Sequence, residues 1–193
     1  MKRGIPIVIS APSGAGKSTI GQALLKRDRR LRISVSCTTR QPRPGEQDGR
    51  DYYFMSRAGF QERVHKKGFV EWARVHGRLY GTPRAELDKI LQKGFDVLLV
   101  IDTQGAAALR KLYPKTLSIF VTAPTWRELV GRLKGRGVSK KDLEIRLRNA
   151  RRELQEIPKY DHAAINDDLP RAVGEILGII RRERRQRNKI PAL

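Results

Sequence analysis

Lys17 and Ser18 close the stretch SAPSGAGKST, Ser10 to Thr19. Spaced glycines let backbone N–H groups turn inward as a nest for phosphate oxygens. The lysine adds a point charge, and the serine hydroxyl can join the shell of a Mg²⁺ ion carried by those phosphates. The stretch reads as a cradle for a nucleoside triphosphate, built from Ala11, Pro12, Ser13, Gly14, Ala15, Gly16, Lys17, Ser18 and Thr19, with Ser18 as the candidate metal-side hydroxyl. Ala11 stands where such loops usually begin with glycine, which is tolerated wherever φ stays negative. A dinucleotide fingerprint is excluded, because Thr19 sits where a third Gly or Ala is required.

A second group of side chains suits another phosphate. Arg40 and Arg43 lie in a proline-containing turn, so their planar forks can converge on one anion with paired hydrogen bonds. Tyr52 adds a neutral hydroxyl donor, and Glu46, the neighbouring tyrosines and the rigid prolines argue for a shaped pocket rather than a solvated basic loop. The triphosphate cradle alone admits a switch, a motor or a kinase, and a second anion cradle narrows that choice. Cys37 is the only cysteine, which excludes an internal disulfide and a cysteine-cluster metal site. His65, His76 and His162 are in no zinc-ligand spacing and read as surface or locally satisfied histidines.

These residues need a scaffold, and the hydrophobic pattern supplies one. Strand-like runs IPIVIS (5–10), RISVSC (32–37), FDVLLVID (95–102), LSIFVT (117–122) and HAAIND (162–167) alternate with helical patterns. Such alternation predicts a parallel sheet with helices on both faces, and the continuously apolar VLLVI suits a central strand. Ile20 and Leu24 face one side of a helix beginning at Lys17. Leu143, Leu147, Ala150, Leu154 and Ile157 form another stripe, and Val173, Ile176, Leu177 and Ile180 a third. The expected organisation is a single domain with core 1–35, 84–131 and 153–193. A mostly β insert is expected at about 36–83, and an arginine-rich lid with the turn Gly135-Arg136-Gly137 at about 132–152.

The chain has 193 residues, 39% hydrophobic and 32% charged, which fits a soluble globular protein with a full core. No run approaches the roughly 18 apolar residues of a membrane span, and the apolar stretch after MKRG is too short for a signal peptide. A cytoplasmic protein is therefore expected. The net charge of +21 is compatible with handling several phosphates or a polyanion. RRERRQRNK (181–189) reads by default as a solvated helix end, and nothing in the pattern supports specific nucleic-acid recognition or a membrane partner.

The segment TTRQPRPGEQDGRDYYFM (38–55) resembles the signature of guanylate kinases over its whole length, and the likeness continues through FVEWARVHGRLYGTP, IDTQGA, RLKGRG and INDD. The resemblance implies a P-loop NTPase-type α/β fold and phosphorylation of GMP, and of dGMP, by ATP with Mg²⁺, as in purine nucleotide metabolism. It implies that Ser36, Arg40, Arg43, Tyr52 and Tyr80 hold the GMP phosphate, with Glu46 and Gly81 in the same site, and that Glu71, Thr82 and Asp102 read the guanine. It assigns Lys17 and the lid arginines Arg132, Arg136 and Arg146 to catalysis, and places Asn166 near the adenine. Arg148, Arg151 and Arg152 read better as a solvated helix face. Val100 stands where the family usually carries an acidic residue two before Asp102. A scaffold that has lost catalysis, a GTPase switch built on DTQG (102–105) and a kinase for another phosphorylated acceptor are the competing readings. The switch lacks an Asn-Lys-x-Asp motif, since NKIP at Asn188 has no Asp. ATP and GMP are the expected partners, and the choice between monomer and homo-oligomer stays open.

Overall fold

The computed structural model describes residues 3–75, 77–135, 137 and 139–189. The chain divides into two compact units, one comprising the residues up to Pro6 with Arg30–Thr116, the other Ile7–Arg29 with everything from Leu117 onward.

The second unit carries the phosphate loop. Strand β1 (Pro6–Ser10) is buried at every position, and it leads through the loop into α1 (Lys17–Arg27). β1 runs parallel to β8 (Leu117–Thr122), with Ile7 opposite Leu117 and Ser10 opposite Phe120, and β8 runs parallel to β9 (His162–Ile165). Runs apolar at successive positions bury both faces, as parallel strands require. Helices α5 (Trp126–Lys134), α6 (Lys140–Leu154) and α7 (Leu169–Lys189) complete the unit. Thr125 and Glu128 begin α5 as a Thr-x-x-Glu pair, the Thr125 hydroxyl accepting from the Glu128 N–H. Ser139 caps α6 in the same way. The stripe Val173, Ile176, Leu177 and Ile180 is buried, as are Ile20 and Leu24 of α1. Each such side chain is worth about 1.5–3 kcal/mol on removal from water. Arg184 of α7 donates to Asp28 at the end of α1 over 2.6 Å.

The first unit contains a parallel pair, β2 (Leu31–Ile33) with β7 (Asp96–Val100), and helices α3 (Arg84–Gln92) and α4 (Thr103–Leu112). The Val97 N–H donates to the Ile5 carbonyl within the same unit. A second sheet, in the order β4-β3-β6-β5, is formed by β3 (Cys37–Thr38), β4 (Tyr53–Phe54), β5 (Phe69–Val75) and β6 (Arg78–Pro83). Its core is Cys37, Phe60, Phe69 and Leu79, with Phe60 on α2 (Arg57–His65) stacked 4.5 Å from Phe69. RISVSC, expected as one strand, divides between the two sheets. Glu86 takes the Val35 N–H at 3.3 Å and the Ser36 carbonyl accepts from Tyr53, so the chain leaves one ladder and enters the other. No described helix is long and apolar enough to cross a membrane.

Candidate active site

The phosphate loop is shaped by two left-handed glycines, Gly14 at φ 93° and Gly16 at φ 90°. Gly16 is constrained twice, because a Cβ there would lie 2.3 Å from the Asn166 amide nitrogen. That amide donates to the Ala15 carbonyl at 2.8 Å, and the Ala15 N–H closes the turn onto Pro12. Lys67 is the only described non-glycine residue with positive φ, so Ala11 keeps the conformation an alanine accepts. Gly16 caps α1 without a side chain, leaving the helix N-terminus and its partial positive charge facing an incoming anion. Lys17 opens the helix, with Ser18 and Thr19 exposed on its first turn.

Of the three arginines expected in a lid, Arg146 reaches this loop and Arg132 reaches Asn166, which braces it. The Arg146 guanidinium donates to the Ser13 hydroxyl at 3.1 Å, and Arg132 donates to the Asn166 carbonyl at 2.8 Å while pairing with Glu128 at 3.5 Å. Arg136 lies outside the described residues. Arg151 covers the Trp126 ring, and Arg148 and Arg152 are exposed.

In the other unit, Arg40 is held from several sides. Its two terminal nitrogens donate to the two Glu46 oxygens at 2.9 and 2.8 Å, and one also donates to the Gln41 carbonyl. Glu46 further accepts the Arg43 N–H at 2.7 Å. The guanidinium lies 5.3 Å from the Tyr52 ring centre, and Tyr52 meets Tyr80 edge-on at 6.0 Å. The Arg40 hydrogen bonds hold the Glu46 carboxyl below the usual carboxylate range, and the Glu46 bond raises Arg40 further. Burial, reinforced by Tyr80, pushes the Tyr52 phenol up, so it stays a proton donor. Arg43 is exposed and Ser36 half-buried. Two residues given no role by the sequence pattern fix this cluster. The Thr38 hydroxyl donates to the Leu79 carbonyl and accepts from the Arg40 N–H, while the Thr39 hydroxyl accepts from the Leu79 N–H. The Thr-Thr pair preceding the arginine was the visible signal.

In the same unit, Glu71 and Thr82 face each other across β5 and β6. The Thr82 hydroxyl donates to one Glu71 oxygen at 2.5 Å, and both residues are buried. Asp102 caps α4 and accepts the Gly105 N–H at 2.8 Å. Gly105, also passed over, meets the other Glu71 oxygen: a Cβ there would sit 2.5 Å from it. The D-x-x-G spacing of DTQG was its only trace in the sequence. Gly81 lies where a Cβ would press on Phe60 and Phe69, so its smallness serves the core of the sheet. Among the described residues no three acidic, histidine or cysteine side chains gather as a metal cage. A hard cation carried by phosphates needs only one or two protein oxygens, which the exposed Ser18 hydroxyl can supply.

A parallel sheet whose first strand feeds a glycine-rich loop into an uncapped helix, with an arginine from a later helix on that loop, defines the P-loop NTPase type of α/β protein. The guanylate kinase family model matches residues 3–183, and the chain belongs to that family. It is 44% identical to a guanylate kinase of Caldanaerobacter subterraneus subsp. tengcongensis, over 97% of this chain and 93% of that protein. It is 44% identical to one of Thermotoga maritima, over 94% and 88%. The crystal structure of a guanylate kinase from Anaplasma phagocytophilum superposes with a TM-score of 0.78 at 33% identity, covering 95% of this chain and 87% of that one.

Proposed function

We propose that the chain transfers the γ-phosphoryl group of ATP to GMP, giving ADP and GDP, and accepts dGMP as well. The observation that carries this reading is the buried Glu71 carboxylate, fixed by Thr82, in the same unit as the Arg40–Tyr52–Tyr80 cluster. Guanine presents N1–H and an exocyclic NH₂ as adjacent donors, which one carboxylate accepts in parallel. Adenine offers an acceptor at N1, which would set its lone pair against a carboxylate oxygen. Asp102 and Thr82 complete the base subsite, and Arg40, Arg43, Tyr52, Tyr80 and Ser36 take the phosphate. Glu46 acts by aiming Arg40.

An oxygen of the GMP phosphate attacks the γ-phosphorus while the bond to the β-bridging oxygen breaks. The attacking oxygen is already ionised, so no general base is needed. Catalysis then consists of positioning and of neutralising charge on the transferred group. Lys17 and the loop N–H groups hold the triphosphate, Arg132, Arg136 and Arg146 offset the charge that develops, and Asn166 braces the loop beside the adenine. Mg²⁺ bound to ATP would supply charge neutralisation, with Ser18 as its protein oxygen. Val100, at the end of β7, supplies no carboxylate, so Asp102 and Ser18 would be left to organise the metal's surroundings. We read the chain as a single guanylate kinase domain, with a GMP-binding insert at about 36–83 and a lid at about 132–152, working in the cytoplasm. The scaffold and other-acceptor readings are not favoured.

The test is ADP production from Mg²⁺–ATP with GMP, dGMP, IMP, AMP, CMP or UMP, alongside Lys17→Ala. Turnover with GMP and dGMP far above the rest, lost in the variant, is expected. Equal rates with AMP would overturn the reading.

A further inference from the structure

Gly105 occupies the first turn of α4, where nothing in its backbone calls for glycine, since it is not among the residues with positive φ. Alanine is the better helix former, so local propensity argues against glycine here. The packing gives the reason. A Cβ would lie 2.5 Å from Glu71 Oε2, 3.1 Å from Glu71 Cδ and 3.4 Å from Asp102 Oδ1. The Glu71 carboxylate has little room to yield, because it is only 6% exposed and its other oxygen is held by Thr82 at 2.5 Å. The Gly105 N–H is fixed as well, donating to Asp102 at 2.8 Å.

We infer that Gly105 is a positioning residue for base selectivity: its bare Cα leaves the space in which Glu71 presents both oxygens to a purine edge, while its N–H orients Asp102 beside it. The inference rests on the guanine-reading role proposed above. An added methyl must push the carboxylate off that alignment, and the purine that uses both acceptors loses most. GMP offers two donors to Glu71, whereas IMP keeps N1–H and lacks the amine. The preference for GMP over IMP is therefore the readout specific to this role.

The experiment measures kcat/KM for GMP and IMP in the wild type, Gly105→Ala, Glu71→Ala and the double variant, with thermal unfolding and ATP binding on each. The GMP preference is expected to fall by roughly tenfold or more in Gly105→Ala, through KM for GMP, with ATP affinity unchanged. In the Glu71→Ala background the same methyl meets no carboxylate and is expected to cost nothing further. An unchanged GMP:IMP ratio in Gly105→Ala, or a full additional loss in the double variant, would overturn the inference. Should Gly105→Ala fail to fold, a folded double variant supports the steric assignment to Glu71, and an unfolded one refutes it. A wild type inactive on GMP would instead refute the proposed function, so the two failures are distinct.

Discussion

Arg40 and Glu46 are paired in a way that would prepare the proposed phosphate site. Glu46 accepts both terminal nitrogens of Arg40 and the Arg43 N–H, so the flexible guanidinium is already oriented before an anion arrives. Charge-assisted bonds of this kind are each worth about 1.5–3 kcal/mol when partly buried. Glu46→Gln keeps the size but loses the charge and one acceptor. The expected result is a KM for GMP raised by about tenfold, equivalent to about 1.4 kcal/mol, with KM for ATP unchanged. A variant with wild-type KM for GMP would show that Arg40 needs no orienting partner. The pair also carries a pH dependence. Because Glu46 is held below its ordinary value in the folded state, its stabilisation is complete above about pH 4.3, the unperturbed glutamate value, and is lost as the pH falls through its lower folded value. The stability difference between wild type and Glu46→Gln should therefore be constant from neutral pH down to that point and shrink below it, as denaturant titrations at a series of pH values would show.

At the scale of elements, the β4-β3-β6-β5 sheet depends on a small aromatic core. Phe60 is fully buried on α2 and stacks on Phe69, with Gly81 leaving room for both rings. Phe60→Ala is expected to cost about 3–5 kcal/mol, read as a lowered denaturation midpoint. Cys37 reports on the same core. Burial pushes its thiol up despite the Arg63 guanidinium that donates to the sulfur at 3.1 Å. It should react slowly with a thiol reagent in the native protein and rapidly in denaturant, and Phe60→Ala should accelerate it. Native-state labelling at the rate of a free thiol would contradict the buried assignment.

For the molecule as a whole, the residues assigned to ATP and those assigned to GMP fall in different compact units. Lys17, Ser18, Arg132, Arg146 and Asn166 belong to one, and Arg40, Glu46, Tyr52, Glu71, Thr82 and Asp102 to the other. Each assigned set of residues lies within one unit, so binding of one nucleotide at a time should separate even though turnover needs both. Lys17→Ala is expected to bind GMP within about twofold of wild type, and Arg40→Ala to bind ATP equally well, while neither supports turnover. Calorimetry with one nucleotide at a time tests this, and loss of GMP binding in Lys17→Ala would refute the separation.

What could be read from the chain was local. Glycine spacing before Lys17-Ser18 defined the phosphate loop, because left-handed turns leave their mark in residue type. Continuous apolar runs located β1, β7, β8 and β9, and a 3.6-residue apolar period located the buried stripe of α7, because each element must hide one face or two. The arginines, prolines and tyrosines of residues 40–53 marked the segment proposed to hold an anion. Folding decided the contacts between residues distant along the chain. Asn166 braces Ala15 across 151 positions, and Thr82 meets Glu71 only through the register of β5 on β6. RISVSC was divided by Glu86, a side chain in a helix that follows much later. Gly105 left almost no signal, because its importance lies in space kept empty for Glu71, and such a vacancy exists only once helix and sheet have packed.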